Sequence, residues 1–228
     1  MNHIEIELRY QLLDSAQLAL FLASFEKLHQ KHDIDVYLDN PQATLYQKGI
    51  YIRIRNNKTL DIKFNRANID NPDLAHQDYC EEHSFSLPLC EKDLSRLNSV
   101  LVSLNLIQVE NADLEDVQFA NNFVELYVVD KVRTSYKSDL FSLCLDEVTG
   151  LGTFLEIELM ANSIKNIDLV REQMVAMVSD LDLVPINTGY IELLLRKNNF
   201  ERYLSGRFVL EEDKHYKQQL LGSRVECL

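Results

Sequence analysis

The 228-residue sequence has little of what builds linkers: six glycines, four prolines, no low-complexity tract and no internal repeat. That speaks against small modules strung on flexible spacers. Its four cysteines, Cys80, Cys90, Cys144 and Cys227, are widely separated, and none forms a C-x-x-C pair. A zinc site or a disulfide framework is not expected from such spacing, and the thiols should be reduced. No apolar run approaches the ~20 residues that cross a bilayer as a helix. The chain opens directly on a charged strand pattern, so neither a signal peptide nor a membrane segment is expected, and the expected compartment is the cytoplasm. Basic residues are also in short supply: 23 Lys plus Arg against 36 Asp plus Glu give a net charge of −13 and a pI near 4.9. This argues against a broad nucleic-acid or anionic-membrane surface, because phosphate backbones are held by clustered Lys and Arg. A local basic pocket inside an acidic shell is compatible with it.

What is present is an ordinary globular composition, 46% hydrophobic and 26% charged, on a chain long enough for one large or two small domains with a sizeable core. Residues 4–9, IEIELR, alternate apolar and charged, the mark of a strand with one dry and one wet face. Asp14 or Ser15 can cap a following helix of about sixteen residues with Leu18, Leu22, Phe25 and Leu28 as its stripe. Asp39-Asn40-Pro41 reads as a turn. Two alternating runs around Ile50–Ile54 and Leu60–Phe64 flank Asn56-Asn57, a hairpin signal. Residues 65–78 read as a polar loop and 79–87 as a strand, with either Glu81 or Glu82 on its polar face. A short helix is expected over 91–105, strands over 124–136, 140–148 and 153–160, a helix from Ser163 to about Leu181, and another from Tyr190.

The polar faces of these strands carry like charges in pairs: Glu5 and Glu7, Arg53 and Arg55, Lys131 and Arg133, Glu156 and Glu158. Residues two apart on a strand point the same way at roughly 6.5–7 Å. One such pair is an ordinary solvated face. A succession of them on one sheet repels itself unless opposite strands or a ligand compensate. A closed barrel with its apolar faces outward, under helices, would set Glu5, Glu7, Asp146, Glu156 and Glu158 against Arg9, Arg53, Arg55, Lys63, Lys131 and Arg133 across a wet channel. Clustered carboxylates suit Mg²⁺ or Mn²⁺, and a ring of Arg and Lys suits a polyanion such as a triphosphate. Metal plus cations is the arrangement that phosphoryl transfer needs.

The same residues resemble the CYTH family, the triphosphate tunnel metalloenzymes. Glu5-x-Glu7-x-Arg9 is similar to the family's Glu-x-Glu-x-Lys opening, Tyr37-Leu38-Asp39 to its Tyr-x-Asp, and Ile52-Arg53-Ile54-Arg55 to its Leu-Arg-x-Arg strand. Lys63 and the pair Lys131 and Arg133 match its later basic strands. LDEVTGLGTFLEIEL, 145–159, is the most specific match. The likeness spans about residues 2–196 and implies an α+β fold, an eight-stranded antiparallel β-barrel tunnel with helices packed on its outside. It divides the chain into a tunnel domain, 1–196, and a helical C-terminal extension, 197–228.

By that resemblance Glu5, Glu7, Glu156 and Glu158 hold metal, with Asp146 a further ligand or the group that orients a base. Arg9, Arg53, Arg55, Lys63, Lys131 and Arg133 hold phosphate oxygens, and Tyr190 lies near the tunnel's end. Arg9 replaces the family's Lys. An Arg that the family often has shortly before the Glu of its fourth strand is missing from YCEEHSF, so that one phosphate contact is either absent or replaced by His83. The expected function is a metal-dependent phosphohydrolase of a triphosphate (inorganic triphosphate, thiamine triphosphate or a nucleoside triphosphate), with a carboxylate or a neutral lysine as base, Lys63 and Lys131 being candidates because flanking cations would lower a lysine's pKa. The alternatives are a class IV-type adenylyl cyclase, making cyclic AMP and pyrophosphate, and a polyphosphate or nucleotide binder without turnover. The expected partner is a triphosphate-containing small molecule, with no nucleic acid and no membrane, and a homodimer fits the family.

Overall fold

The structure, a computed structural model, describes residues 3–12, 15–71, 79–161 and 165–225. In chain order the first half comprises β1 (His3–Leu12), α1 (Ser15–Leu22), β2 (Glu26–Asp39), α2 (Thr44–Lys48), β3 (Tyr51–Arg55), β4 (Thr59–Phe64), α3 (Arg66–Asp70), β5 (Tyr79–Ser86), α4 (Glu91–Ser103) and α5 (Leu114–Ala120). The second half comprises β6 (Val124–Lys137), β7 (Ser142–Val148), β8 (Gly152–Ala161), α6 (Ile167–Met177), β9 (Leu183–Pro185), α7 (Tyr190–Asn198), α8 (Phe200–Ser205), a 3₁₀ turn (Glu211–Asp213) and α9 (Lys214–Val225).

The strands form one sheet in the order β5-β4-β3-β2-β6-β7-β8-β1-β9, and β5 also pairs with β1. That second pairing closes eight antiparallel strands into a barrel, as the alternating charge pattern requires. Strand β9 adds a short run to the free part of the β1 edge, opposite Tyr10–Leu12. The β3–β4 hairpin turns on Asn56 and Asn57, both left-handed at φ 53° and 54°. Asparagine tolerates that region, and two successive left-handed residues match the twist of the paired strands.

Alternation sends the apolar residues outward. Ile52, Ile54, Leu60, Ile62, Phe64 and Phe85 pack under α4 and α5 through Leu97, Val100, Leu101 and Val117. On the opposite side Ile6, Leu143, Leu155 and Ile157 pack under α1 and α6 through Leu18, Leu22 and Met174. Full burial of each such side chain contributes about 1.5–3 kcal/mol, so these two outer layers hold the barrel around its costly charged interior. A third cluster joins inward-facing Val129, Val148 and Phe154 to Tyr190, Ile191, Leu194, Leu195 and Tyr203, so that α7 and α8 close one end of the bore.

Two expectations about local structure are corrected. The first helix ends at Leu22 rather than near Leu28, and β2 begins at Glu26, leaving Leu28 51% exposed. The stretch fits a helical repeat, but pairing with β6 along its whole length overrides that local preference. The polar segment after β4 contains α3, capped by the Asn65 side chain accepting from the Asn68 amide. Asp14 and Ser163, the expected helix caps, and residues 72–78 and Cys227 lie outside the described residues, and α6 ends at Met177, short of Leu181. Among the described residues no helix is long and apolar enough to cross a membrane.

Candidate functional site

Register decides which charges meet in the bore. Directly across their ladders, Arg9 faces Glu156, Arg133 faces Asp146, Arg53 faces Asp61 and Lys63 faces Glu82. Glu7 faces Glu158, the one acid-on-acid pair in the ladders of the described residues. Opposite charges across a ladder stabilise it and like charges weaken it, so this point of the wall is short of positive charge.

The cations are tied to these acids. Arg9 donates to Glu156 (Nε–Oε1 2.6 Å), to the Thr188 carbonyl (2.6 Å) and to Glu7, and its guanidinium carbon lies 4.3 Å from the centre of the Tyr190 ring. Arg133 donates to both Asp146 oxygens (2.7 and 2.6 Å), to Glu158 (3.0 Å) and to Glu156. Asp146, fully buried, also accepts from Lys131 Nζ at 2.7 Å and from the Tyr190 hydroxyl at 3.0 Å. Lys63 donates to Glu5 and lies 3.3 Å from Glu82. On the other wall Arg55 grips Asp35 through Nε (2.6 Å) and a second nitrogen (2.8 Å), while Arg53 reaches Asp61 (3.1 Å), Asp35 (3.4 Å) and Glu82 (3.5 Å). All of these groups except the more deeply set Asp61 and Asp146 line a cavity of about 280 Å³, close to the size of a small-ligand site.

Burial and charge sort the titrating groups. For Glu156, burial alone would raise the carboxyl, but Arg133, Arg9 and Lys131 outweigh it and hold it well below the usual range. For Glu7, burial and then Glu156 and Glu5 win over Arg9, lifting it to about 7. Glu158 is lifted to about 8 by burial and by Glu5, Glu156 and Glu7, against Arg133. Carboxyl oxygens of Glu5, Glu7 and Glu158 lie within 4.8 Å of one another. An all-oxygen donor set crowded enough to keep two protons near neutrality is the environment a hard divalent cation relieves, so these residues fit Mg²⁺ or Mn²⁺. The two lysines diverge. Burial and Arg133 lower Lys131. Burial would lower Lys63 too, but Glu5 and Glu82 raise it well above the ordinary value, opposite to the expected direction.

All the predicted residues line or border one bore, but not as one set. Glu5, Glu7 and Glu158 come together, whereas Glu156 and Asp146 are occupied by Arg9, Arg133 and Lys131. Tyr190 sits beneath Arg9 and Lys131 at the α7 N-terminus. Glu82, not Glu81, points inward, and His83 lies on the outer face, stacked 5.6 Å from Phe64, so it does not replace a bore arginine. Asp35 and Asp61 escaped the sequence reading: Asp35, paired with Asp33, falls in a stretch where no strand was read, and Asp61 shares its face with Lys63 rather than with a second acid. Glu192 also escaped. It sits in an apolar helical run, yet it is buried, accepts from the Tyr51 hydroxyl and bonds back to the Gly189 amide, a capping-box contact that fixes the start of α7.

A closed antiparallel barrel with a bore of paired acids and bases, sealed by a helix at one end, defines the class of the molecule. Residues 3–187 match the model of the CYTH domain, and the chain belongs to that family. A putative adenylate cyclase of Methanocaldococcus jannaschii is 34% identical over 74 residues, 31% of this chain; the match spans about two fifths, 42%, of that curated relative. Among solved structures, a putative adenylate cyclase from Vibrio parahaemolyticus superposes with a TM-score of 0.57 at 20% identity, covering 85% of this chain and 99% of that one. A Pyrococcus horikoshii protein gives 0.57 at 21% identity, with 85% and 99% covered. A putative adenylyl cyclase from Hippeastrum, described as having a dominant triphosphatase activity, gives 0.54 at 19% identity, with 86% and 96% covered. At these identities the superpositions show the shared fold.

Proposed function

We propose that the protein is a divalent-metal-dependent phosphohydrolase of a triphosphate-containing small molecule. The observation that carries this reading is the pairing, in one cavity, of the under-compensated Glu5–Glu7–Glu158 cluster with the cations Arg9, Arg53, Arg55, Lys63 and Arg133. A bound Mg²⁺ or Mn²⁺, held by Glu5, Glu7 and Glu158, would supply neutralisation of phosphate charge and acidification of water. The chain's own residues do the rest. Arg9, Arg53, Arg55 and Lys63 bind and align the phosphate oxygens, and Arg133 answers charge that develops in the transition state. Water attacks the terminal phosphorus, the bond from that phosphorus to its bridging oxygen breaks, the diphosphate part of the substrate departs with the bridging oxygen and its electron pair, and the attacked phosphorus is released as phosphate. Lys131 takes the water proton. It is the lysine whose pKa burial and Arg133 lower against the pull of Glu156 and Asp146, and Asp146 and Tyr190 fix its position.

Adenylyl cyclase is the second reading, favoured by one observation: aromatic residues at the closed end of the same cavity, where a base could sit. A pure binder has less support, because carboxylates in the bore only weaken polyanion binding unless metal covers them. The test is incubation with Mg²⁺ or Mn²⁺ and tripolyphosphate, thiamine triphosphate or ATP, with products resolved. Phosphate release supports the hydrolase. Cyclic AMP with pyrophosphate would establish the cyclase instead, and metal-dependent binding without product would leave the binder. For Lys131→Arg, kcat should fall about 100-fold and lose its rise with pH, since arginine cannot serve as the base.

A further inference from the structure

The cavity has two chemically different halves. One is the ring of cations and carboxylates. The other, at the end closed by α7, is lined by Tyr37, Tyr51, Gly49, Gly189, Ile191 and Phe208. An inorganic triphosphate offers oxygens alone, and an aromatic wall beside it contributes only desolvation.

These rings are held from behind. The Tyr51 hydroxyl is spent on Glu192, and the Tyr37 oxygen accepts from Arg53. The Tyr37 ring meets Tyr51 edge-on, centres 6.2 Å apart, and Phe208 lies nearly parallel to Tyr51, at 6.4 Å and 23°. Both spacings fall within the range of favourable aromatic pairs. Phe208 comes from beyond residue 187, where the family match ends. Its backbone is anchored by Thr188, whose hydroxyl donates to the Phe208 carbonyl at 2.9 Å. Its ring rests on Gly49, a left-handed residue at φ +71° where an added Cβ would come 2.8 Å from Phe208. Thr188 also accepts from Arg9 through its own carbonyl. One buried residue therefore joins the phosphate-binding cation to the aromatic wall of the same cavity.

Resting on the triphosphate reading of the bore, we propose that Phe208 and Tyr51 form a subsite for a heteroaromatic ring carried by the triphosphate, so that the substrate is an organic triphosphate rather than the inorganic ion. The polar atoms of Tyr51 and Glu192 are committed to each other and to the α7 cap. The subsite reads a ring by its face, which every nucleobase presents, and discriminates little between purine and pyrimidine.

The test is calorimetric binding, in Mg²⁺, of the non-hydrolysable methylene-bridged analogues of ATP, CTP and inorganic triphosphate. The full-length protein should bind both nucleotide analogues at least about tenfold more tightly than the inorganic one, within about threefold of each other, the gain expected of one stacked ring. Phe208→Leu keeps the packing on Gly49 and should weaken both nucleotides about 5- to 100-fold while leaving the inorganic analogue within about twofold. Phe208→Tyr should restore nucleotide binding, and the melting temperature of each variant tells loss of stacking from loss of fold. Equal affinity for all three ligands, or a Phe208→Leu loss shared by all three in a protein that melts normally, would overturn the subsite and leave the triphosphate bore standing. Failure of every analogue to bind would instead overturn the triphosphate reading itself.

Discussion

On the wall built by β1 and β8, Glu5, Glu7 and Glu158 crowd together; Lys63 answers Glu5, but Glu7 and Glu158 are short of positive charge and hold protons near neutrality. On the wall built by β2 to β5, Asp35, Asp61 and Glu82 surround Arg53, with Arg55 doubly bonded to Asp35. There the burial that would raise Asp35 is outweighed by Arg53 and Arg55, which bring it down to about 2. Both walls are buried and both carry carboxylates. What separates a ligand-seeking acid from a scaffold acid is whether the neighbouring strand supplies its counter-charge, and that is a matter of register. Glu7 and Glu158 should therefore govern activity with little effect on stability, whereas Asp35 and Asp61 should act chiefly on stability.

The sharpest break of this contrast is Glu158→Gln. Metal-dependent turnover should fall on the order of 1000-fold, as for loss of a ligand rather than of an outer partner, while the melting temperature holds because a crowded carboxylate has been removed. Steady-state kinetics and a thermal melt read the two quantities, and intact turnover with normal metal dependence would end the metal-site assignment. Asp35→Asn should act first on stability. Leaving Arg53 and Arg55 without their acid costs about 3–5 kcal/mol of stability, seen in denaturant titration. Because the folded Asp35 lies below its ordinary 3.8, its contribution is complete above about pH 4 and is lost as pH falls toward 2, so the variant should also show a flatter acid limb.

The smallest effect expected is on proton linkage. With Glu7 near 7 and Glu158 near 8, metal must displace protons below those values, so Mn²⁺ affinity should drop about tenfold or more per pH unit below 7. Calorimetry in buffers of different ionisation heat should record the released protons, and a pH-independent affinity would refute the crowding argument.

Much of this was legible because period-two charge pairs survive any context: Glu5 and Glu7, Arg53 and Arg55, Lys131 and Arg133, and Glu156 and Glu158 announce a charged face whatever lies opposite. The partition of those residues was not legible, since it depends on which residues become cross-strand neighbours. Asp146 illustrates this. Its face could be read, but its engagement by Lys131, Arg133 and Tyr190 at once could not. The start of β2 was hidden by a stretch that satisfies a helical stripe equally well. Glu192 was hidden by a helix whose polar position points into the protein, and Phe208 by a C-terminal segment without clear periodicity.

The divided edge of β1 has a mechanical consequence. The barrel closes only where His3–Ile6 meet Tyr79–Glu82, then β9 takes over at Tyr10, and on that edge Glu7 and Leu8 have no ladder partner among the described residues. By contrast β2 and β6 are zipped from Glu26 to Asp39. The cylinder thus has a short fastening, and it runs along the strand that carries Glu5 and Glu7, facing Lys63 on β4 across the gap. A ligand gripped by both sides is a rivet through that fastening. Amide hydrogen exchange should register it as slowing on binding at Ile4–Leu8 and Tyr79–Glu82, with β2 and β6 unchanged. Uniform slowing across the barrel would mean that the seam behaves like the rest of the wall.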